Sequence, residues 1–264
     1  MLFPRPRRIR TRLDAGEPAF GLAVQLPSPD IVEIAGQVGY DYTWIDAEHG
    51  SFGLSEIREL IRAADAVGID SVVRVPDHSP SFIQRVLDLG ATGIMAPHVR
   101  TADEARALAS AARYSPKGIR GACPSVRSVG HITTDWPHDA ARANDDVFVF
   151  GLIEDIEGIE NLDSIARDGG LDGLLFGPFD LSMALGLNGE VQHERLLEFH
   201  DQVVGACTTA SIEYVTANAA WEFGGVDSTG SRIVTVAGDR GVVFEGSRDA
   251  LSAVRDKIRS GELR

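Results

Sequence analysis

Eight short apolar runs, separated by longer helical patterns, constrain this fold more than any other feature of the sequence. The runs are rich in β-branched residues and occupy positions 21–26, 42–47, 71–75, 93–96, 147–153, 173–176, 212–216 and 232–237. Near-continuous apolar strands are typical of a parallel sheet that is covered on both faces. The sequence therefore predicts eight parallel strands.

The segments between the runs have the pattern of helices. Apolar residues recur at helical spacing in 31–38 and 54–64. Thr101 and Glu104 form a capping box that opens an Ala-rich helix ending at Ala112. Eight β/α units in 264 residues predict an α/β protein, a single-domain (β/α)8 TIM barrel. No Gly-x-Gly-x-x-Gly motif follows the first run, which argues against a dinucleotide-binding doubly wound sheet.

No linker or short repeat divides the chain, so residues 1–264 are predicted to form one domain. Residues 1–13 carry five arginines before the first acidic residue and are predicted to be a basic N-terminal extension. The segment 118–146 shows no clear helix and is long for a loop. We expect a functional or contact role for it.

Charge and composition narrow the possible partners. The chain has 25 Lys and Arg against 39 Asp and Glu, a formal net charge of -14. Nucleic acids and anionic membranes bind to basic surfaces, so neither is an expected partner. The expected partner is a small molecule. No secretory signal or run of ~20 apolar residues occurs, which predicts a cytoplasmic protein. Cys123 and Cys207 are predicted to be free thiols.

Polar residues that follow the apolar runs are the first candidates for an active site, because strand C-termini form that site in a barrel. Glu154 and Asp180 are two hard carboxylates that could share a divalent cation. Arg74 could hold an anionic ligand, and His49 is the natural general base of this rim.

Each candidate has a structural alternative when it is taken alone. The carboxylates could cap helices, Arg74 could pair with a neighbouring acid, and Gly177 and Pro178 could form only a tight turn. The other histidines of the loops, at positions 78, 98 and 131, are expected to be ordinary rim residues.

Six motifs in order carry a resemblance to a known family. They read Trp-Ile-Asp-Ala-Glu-His-Gly, Val-Val-Arg-Val-Pro, Ala-Pro-His-Val, Arg-Tyr-Ser-Pro-Lys-Gly-Ile-Arg-Gly, Ile-Glu and Gly-Pro-Phe-Asp-Leu-Ser. Over 21–189 the chain resembles the HpcH/HpaI aldolases, which are metal-dependent class II pyruvate aldolases. The resemblance implies a TIM barrel that assembles as a homo-oligomer, a trimer or hexamer, and that works through a pyruvate enolate.

The resemblance also implies roles for individual residues. Glu154 and Asp180 resemble the ligands of Mg²⁺, Mn²⁺ or Co²⁺, and Arg74 resembles the residue that holds the enolate oxygen. His49 resembles the base, acting directly or through a metal-bound water, with Asp46 close by on the same strand.

Two further parts of the family site have counterparts here. The segment Gly177, Pro178, Phe179 and Asp180 resembles the pocket for the pyruvate carboxylate, formed by the amides of the last two residues. Asp88 matches a carboxylate that orients the histidine, across a subunit interface.

The lysines agree with this chemistry. Two residues depart from the family pattern, and both concern the acceptor. Lys117 and Lys257 are the only lysines and neither ends a strand, so no Schiff-base lysine is expected. Many family members carry Gln where this chain has Leu152, and often an aromatic where it has Ala23. These changes suggest a differently shaped acceptor pocket.

The resulting prediction is a divalent-metal-dependent carbon-carbon lyase that cleaves or forms 4-hydroxy-2-oxoacids from pyruvate and an aldehyde. The first alternative is an enzyme that uses the same enolate for decarboxylation or bond formation in a specialised biosynthetic pathway, which Leu152 favours. The second alternative is a non-catalytic barrel scaffold.

Overall fold

Eight parallel strands close into a barrel in the order β1 to β8, and β1 pairs with β8. The computed structural model describes residues 7–219, 223 and 225–260. The strands are β1 (Ala19–Val24), β2 (Tyr42–Asp46), β3 (Asp70–Arg74), β4 (Gly93–Ala96), β5 (Phe148–Ile153), β6 (Gly173–Phe176), β7 (Glu213–Thr216) and β8 (Ile233–Gly238). The predicted TIM barrel is confirmed, with strand ends displaced by at most two residues.

Twelve α-helices accompany the strands in the described part of the chain. They are α1 (Arg8–Asp14), α2 (Pro29–Val38), α3 (Leu54–Val67), α4 (Pro80–Leu89), α5 (Ala102–Ala112), α6 (Trp136–Asp146), α7 (Ile156–Glu160), α8 (Leu162–Asp168), α9 (Pro178–Ala184), α10 (Glu194–Ala210), α11 (Val226–Thr229) and α12 (Asp239–Ser260). None of the helices described is long and apolar enough to cross a membrane.

The capping box before α5 forms as predicted. The Thr101 hydroxyl accepts a hydrogen bond from the Glu104 N–H at 3.2 Å, and the Glu104 carboxylate accepts one from the Thr101 N–H at 3.2 Å. Two otherwise unpartnered amides of the first turn are satisfied in this way, which fixes the helix start.

The segment 118–146 was expected to contain no clear helix, and this expectation is wrong for its last third. The helix α6 occupies Trp136–Asp146, and a short 3₁₀ turn covers Arg127–Val129. The helix start is defined by Asp135, whose carboxylate accepts from the N–H of His138, and by Pro137 in the first turn. Large apolar residues are scarce in this helix, so its period is weak in the sequence.

Two apolar cores hold the barrel together. One lies inside the strand cylinder, where Tyr42, Met95 and Phe150 are among the buried side chains. The other lies between the strands and the surrounding helices, where Ile45, Val73 and Leu174 face the helical layer. Alternate residues of each strand therefore face the two cores, which is why the middle of each strand is largely apolar.

The basic N-terminal segment closes the end of the barrel at which the strands begin. Ile9 of α1 is fully buried in the interior core, and its N–H donates to Asp70 at 2.8 Å. Arg12 pairs with Asp41 at 3.0 Å, and Arg7 pairs with Asp146 at 2.6 Å. Residues 1–6 of the predicted extension lie outside the described residues.

Candidate active site

A cavity of about 300 Å³ opens at the C-terminal ends of the strands. Its lining contains nearly all of the residues that the sequence singled out, from five different strands and their following loops. These are Asp46, His49, Arg74, Glu154, Gly177, Pro178, Phe179 and Asp180, together with Ala23 and Leu152. The apolar runs thus place distant sequence positions around one concave site, the usual arrangement for a barrel enzyme.

Arg74 is held rigidly at the floor of the cavity. Its Nε and Nη2 donate to the two carboxylate oxygens of Asp46 at 2.8 and 2.6 Å. Its Nη1 lies 3.0 Å from Oε2 of Glu48, and its guanidinium carbon lies 5.0 Å above the ring of Trp44. A guanidinium has five N–H groups. Two of them face Asp46 and one faces Glu48, so two remain for a ligand. The side chain therefore reaches the cavity as a fixed donor pair.

Asp46 is a positioning residue for this donor pair. Besides Arg74, its carboxylate accepts hydrogen bonds from the amide of Gln25 and from the backbone N–H groups of Glu48 and His49. Burial alone would raise the pKa of Asp46, but the bonds and charge of Arg74 outweigh it and hold the pKa below its usual value. Asp46 is thus a permanently charged anchor for Arg74 and for the loop that carries His49.

His49 lies at the open edge of the same cavity. Its side chain is 62% exposed, and its Nε2 lies 3.8 Å from Oε2 of Glu48. The loop that carries it turns sharply after β2, with the N–H of Gly50 donating to the Asp46 carbonyl at 2.9 Å. An exposed imidazole at the mouth can exchange protons with both solvent and ligand.

Glu154 is a buried carboxylate with few compensating charges. It follows β5 directly, is 4% exposed and accepts the N–H of His98 at 2.8 Å. Burial, with smaller contributions from the charges of Glu48 and Asp180, raises the pKa of Glu154 to about 7 against the opposing effect of His98. A cation beside Glu154 would remove this penalty.

His98 lies at the rim beside these acids. Its Nδ1 lies 3.0 Å from Asp155 and 3.6 Å from Glu154. Burial alone would lower the pKa of His98, but the charges of Glu154, Asp155 and Glu48 outweigh it and raise the pKa. Its φ of 52° lies in the left-handed region, so the backbone here is constrained.

Gly177 lets the next strand end approach Glu154 closely. A Cβ at this position would lie 2.6 Å from Cβ and 2.8 Å from Oε2 of Glu154. The chain then enters α9, whose first turn contains Phe179 and Asp180. The two carboxylates predicted to share a cation, Glu154 and Asp180, thus follow the adjacent strands β5 and β6.

This donor set fits a hard divalent cation. Within the described ranges, no group of three or more His, Cys, Asp or Glu side chains is arranged to hold an ion alone. Two carboxylates with open positions are nevertheless what Mg²⁺ commonly takes from a protein, because substrate and water complete its shell. The raised pKa of Glu154 points the same way, since its cause is first burial and then the nearby charges of Glu48 and Asp180, and a bound cation would offset both.

The family model of the HpcH/HpaI aldolase/citrate lyase family matches residues 19–244. The chain belongs to this family. Its members break or form carbon–carbon bonds, and the chain is accordingly a carbon–carbon lyase of the class II aldolase type. The resemblance seen in the motifs is confirmed, and the scaffold alternative loses its support. The family also implies a divalent metal.

Individual relatives agree with this membership. The chain is 37% identical to a 4-hydroxy-2-oxovalerate aldolase of Novosphingobium aromaticivorans over 72% of this chain and 71% of the relative. It is 32% identical to a hydroxypyruvate/pyruvate aldolase of Deinococcus radiodurans over 98% of this chain and 93% of the relative.

Solved structures of the family have the same architecture. An HpcH/HpaI aldolase from Desulfitobacterium hafniense matches with a TM-score of 0.86 and 30% identity, over 93% of this chain and 96% of its own. The citrate synthase SbnG matches with a TM-score of 0.83 and 27% identity, over 94% of this chain and 97% of its own. An aldolase and a synthase thus share this barrel.

Asp88 is the one predicted site residue that the structure does not bring to the cavity. It lies near the end of α4, where its carboxylate accepts a hydrogen bond from Arg120 at 2.7 Å. A single chain therefore does not join it to His49.

The lysines and cysteines are placed as expected. Lys117 is exposed and pairs with Asp145, Lys257 is exposed on α12, and neither lines the cavity. Cys123 and Cys207 are both free thiols.

Two residues of the site were not singled out from the sequence. Gln25 was placed inside the first predicted strand, but β1 ends at Val24 and the Gln25 side chain lines the cavity. Glu48 was passed over between Asp46 and His49, although it contacts Arg74. The rule that polar residues after strand ends form the site would have found Gln25 with the correct strand end, and it applies to Glu48 even with the predicted one.

Proposed function

We propose that the protein cleaves and forms 4-hydroxy-2-oxoacids, with pyruvate as the enolate donor and an aldehyde as the acceptor. The observation that carries the proposal is the immobilised Arg74, whose two remaining N–H groups share a cavity with Glu154 and Asp180. Loss of a methyl proton from pyruvate becomes feasible when the developing negative charge is neutralised by fixed donors.

We propose Glu154 and Asp180 as the ligands of Mg²⁺, Mn²⁺ or Co²⁺. The bound ion would act as a Lewis acid toward the 2-oxoacid. Arg74 would stabilise the enolate oxygen, and the amides of Phe179 and Asp180 would bind the carboxylate. Gly177 and Pro178 set the position of these amides by turning the chain from β6 into α9.

In the cleavage direction, we propose that His49 accepts the proton of the 4-hydroxyl group. The bond between C3 and C4 then breaks, the aldehyde leaves, and the enolate receives a proton on carbon to give pyruvate. In the synthesis direction the same steps run backwards, and His49 removes the methyl proton. The exposed position of His49 allows it to exchange this proton with solvent.

Proton exchange tests the proposal without knowledge of the acceptor. We expect methyl deuteration of pyruvate in D₂O, followed by NMR, with metal present and its loss in excess EDTA. His49→Ala should slow the exchange while leaving the metal affinity close to that of the wild type. Full exchange in EDTA would reject the metal, and no exchange at all would reject the enolate.

A second use of the same enolate is favoured by Leu152. This side chain lines the cavity two residues before Glu154 and offers no polar contact there. Decarboxylation of an oxaloacetate-like acid, or addition to a specialised acceptor, would use the same donors. Methyl exchange without cleavage of simple 4-hydroxy-2-oxoacids would favour this candidate.

We propose a homo-oligomer, a trimer or hexamer, because large apolar surfaces are uncovered in one chain. On α12, Phe244 is 68% and Ile258 is 59% exposed, and on α2, Val38 is 72% exposed. Such faces are costly in water and are typical of interfaces. Asp88 would orient His49 of a second copy only in this assembly. Light scattering gives the mass of the assembly, and a monomer would reject the proposal.

A cytoplasmic location stays a prediction of the sequence.

A further inference from the structure

The rim of the cavity has two unlike halves. The charged arc consists of Asp46, Arg74, Glu154 and Asp180, at the ends of β2, β3, β5 and β6. The small-residue arc consists of Ala23, Ala217, Ala237 and Gly238, at the ends of β1, β7 and β8. The strands β7, β8 and β1 are consecutive neighbours in the barrel, so this arc is continuous.

The small-residue arc leaves open space. Ala23 and Gly238 are paired across β1 and β8, and a Cβ on Gly238 would find no atom nearer than the Ala23 Cβ at 4.0 Å. Gly177 on the charged arc is the opposite case, because a Cβ there would lie 2.6 Å from Glu154. Gly177 is small because its neighbours are close, whereas Gly238 borders a void.

Polar groups along the small-residue arc are already engaged. The Gln25 amide donates a hydrogen bond to Asp46 at 2.7 Å, and Asn218 is also not without a partner. The Asp239 carboxylate below this arc accepts from the backbone N–H groups of Gln25, Leu26 and Arg240. Among the described lining residues, none on this arc carries a charge.

We infer that the acceptor is an apolar aldehyde whose substituent is larger than a methyl group. This inference rests on the proposed function, because the charged arc must first take the 2-oxoacid. The described wall beside the charged arc includes Ala23, Ala217, Gly238 and Leu152, whose apolar side chains and bare backbone would gain free energy from apolar contact and would offer few hydrogen bonds to a hydroxylated chain. A cavity of about 300 Å³ holds both molecules.

The bond-forming step balances without a further reactant. The methylene carbon of the enolate attacks the aldehyde carbon and forms one carbon–carbon bond, and the enolate returns to a 2-oxo group. The carbonyl electron pair of the aldehyde moves to its oxygen, which takes the proton that His49 removed from the methyl group and becomes the 4-hydroxyl group. The substituent of the aldehyde then lies over the small-residue arc.

Acceptors of matched size test the inference. We expect kcat/KM for propanal to exceed that for glycolaldehyde by about tenfold, because the hydroxyl would be buried unpaired. From acetaldehyde through propanal and butanal, kcat/KM should rise by roughly fourfold for each added methylene group. Equal values, or a preference for glycolaldehyde and glyceraldehyde, would overturn the inference.

Filling the arc gives a second, independent test. In Ala23→Phe we expect the ratio of kcat/KM for pentanal over acetaldehyde to fall by at least about tenfold, since the ring takes the space of the chain. Ala217→Leu fills the same arc if Ala23→Phe does not fold. The matched control is Ala15→Phe, an exposed position beyond α1, which should keep the wild-type ratio. An unchanged ratio in folded Ala23→Phe would overturn the inference.

Methyl exchange of pyruvate in D₂O separates this inference from the proposed function. If the methyl group exchanges but hydroxylated aldehydes are preferred, the apolar acceptor is rejected and the proposed enolate chemistry is retained. Absence of exchange in wild-type protein with metal rejects the enolate chemistry and the acceptor with it.

Discussion

The two ends of the barrel treat buried charge in opposite ways. At the end where the strands begin, Arg12 and Arg7 pair with Asp41 and Asp146, and Ile9 fills the interior. At the other end, Glu154 is buried close enough to Glu48 and Asp180 for their charges to raise its pKa. One end neutralises its charges within the chain, and the other holds an excess of negative charge.

This difference separates stability from function. The helix α1 closes the end at which the strands begin, because its Ile9 packs into the interior core. The excess charge at the open end is unfavourable for folding, because like charges in a buried site repel each other. Such a site is characteristic of a place where a ligand supplies the missing charge.

The largest effect is expected at the open end, from Glu154→Gln. Loss of one of two carboxylates should reduce pyruvate exchange on the order of 10³-fold, since charge neutralisation is the main catalytic contribution. Titration calorimetry should show weaker metal binding, while the melting temperature of the metal-free protein should not fall. Near wild-type exchange in this variant would place the metal elsewhere.

A smaller loss is expected for Arg74→Lys. An ammonium group cannot hold both oxygens of Asp46 and still present two N–H groups to the substrate. We expect kcat to fall on the order of 10²-fold, with a much smaller change in KM, because the enolate carries more charge than the ketone. Steady-state kinetics with an aldol substrate measure both, and an unchanged kcat would place Arg74 outside the chemistry.

At the closed end, Asp41→Asn should change stability and not activity. The Asp41 carboxylate accepts bonds from Arg12 and from the N–H of Phe20 and is 2% exposed. Its loss should lower the free energy of unfolding by about 2 kcal/mol, the scale of a hydrogen bond to a charged group. Urea denaturation measures the change. A fall in kcat with normal stability would contradict the separation of the two ends.

Most of the barrel could be predicted because its signals are local. Each strand is a short apolar run, and the capping box before α5 lies within four residues of sequence. The strand ends were less certain, since hydrophobicity does not show where pairing stops. That uncertainty concealed Gln25, which stands one residue beyond β1. The helix α6 was missed because its caps, and not its period, define it.

The candidate site could be predicted only as far as residue type carries chemistry. Arg74, Glu154 and Asp180 are recognisable from their motifs, but the bidentate contact between Arg74 and Asp46 needs the fold. Of the small-residue arc, only Ala23 could be singled out, through the family resemblance, because alanine and glycine elsewhere in a sequence carry no signal of their own. The role proposed for Asp88 requires a second copy of the chain, whose position one sequence does not describe.

A pH dependence of stability sharpens the comparison of the two ends. The pKa of Glu154 is raised to about 7, so the folded metal-free protein retains a proton that the unfolded chain releases near pH 4.5. The folded state then binds more protons, and its stability must fall as the pH rises through this window. His98 acts in the same direction, because its pKa is raised and its stabilising charge is lost as pH rises.

In chelator-treated protein, we therefore expect the free energy of unfolding in urea to be lower at pH 7.5 than at pH 5. Glu154→Gln should flatten this dependence, because its amide does not titrate and His98 loses a charged neighbour. Asp41→Asn should be less stable yet keep the wild-type dependence, since it lies at the other end of the barrel. Added metal should restore stability at pH 7.5, because it binds the folded state alone. Parallel curves for wild-type protein and Glu154→Gln would show that Glu154 is not the source of the excess charge.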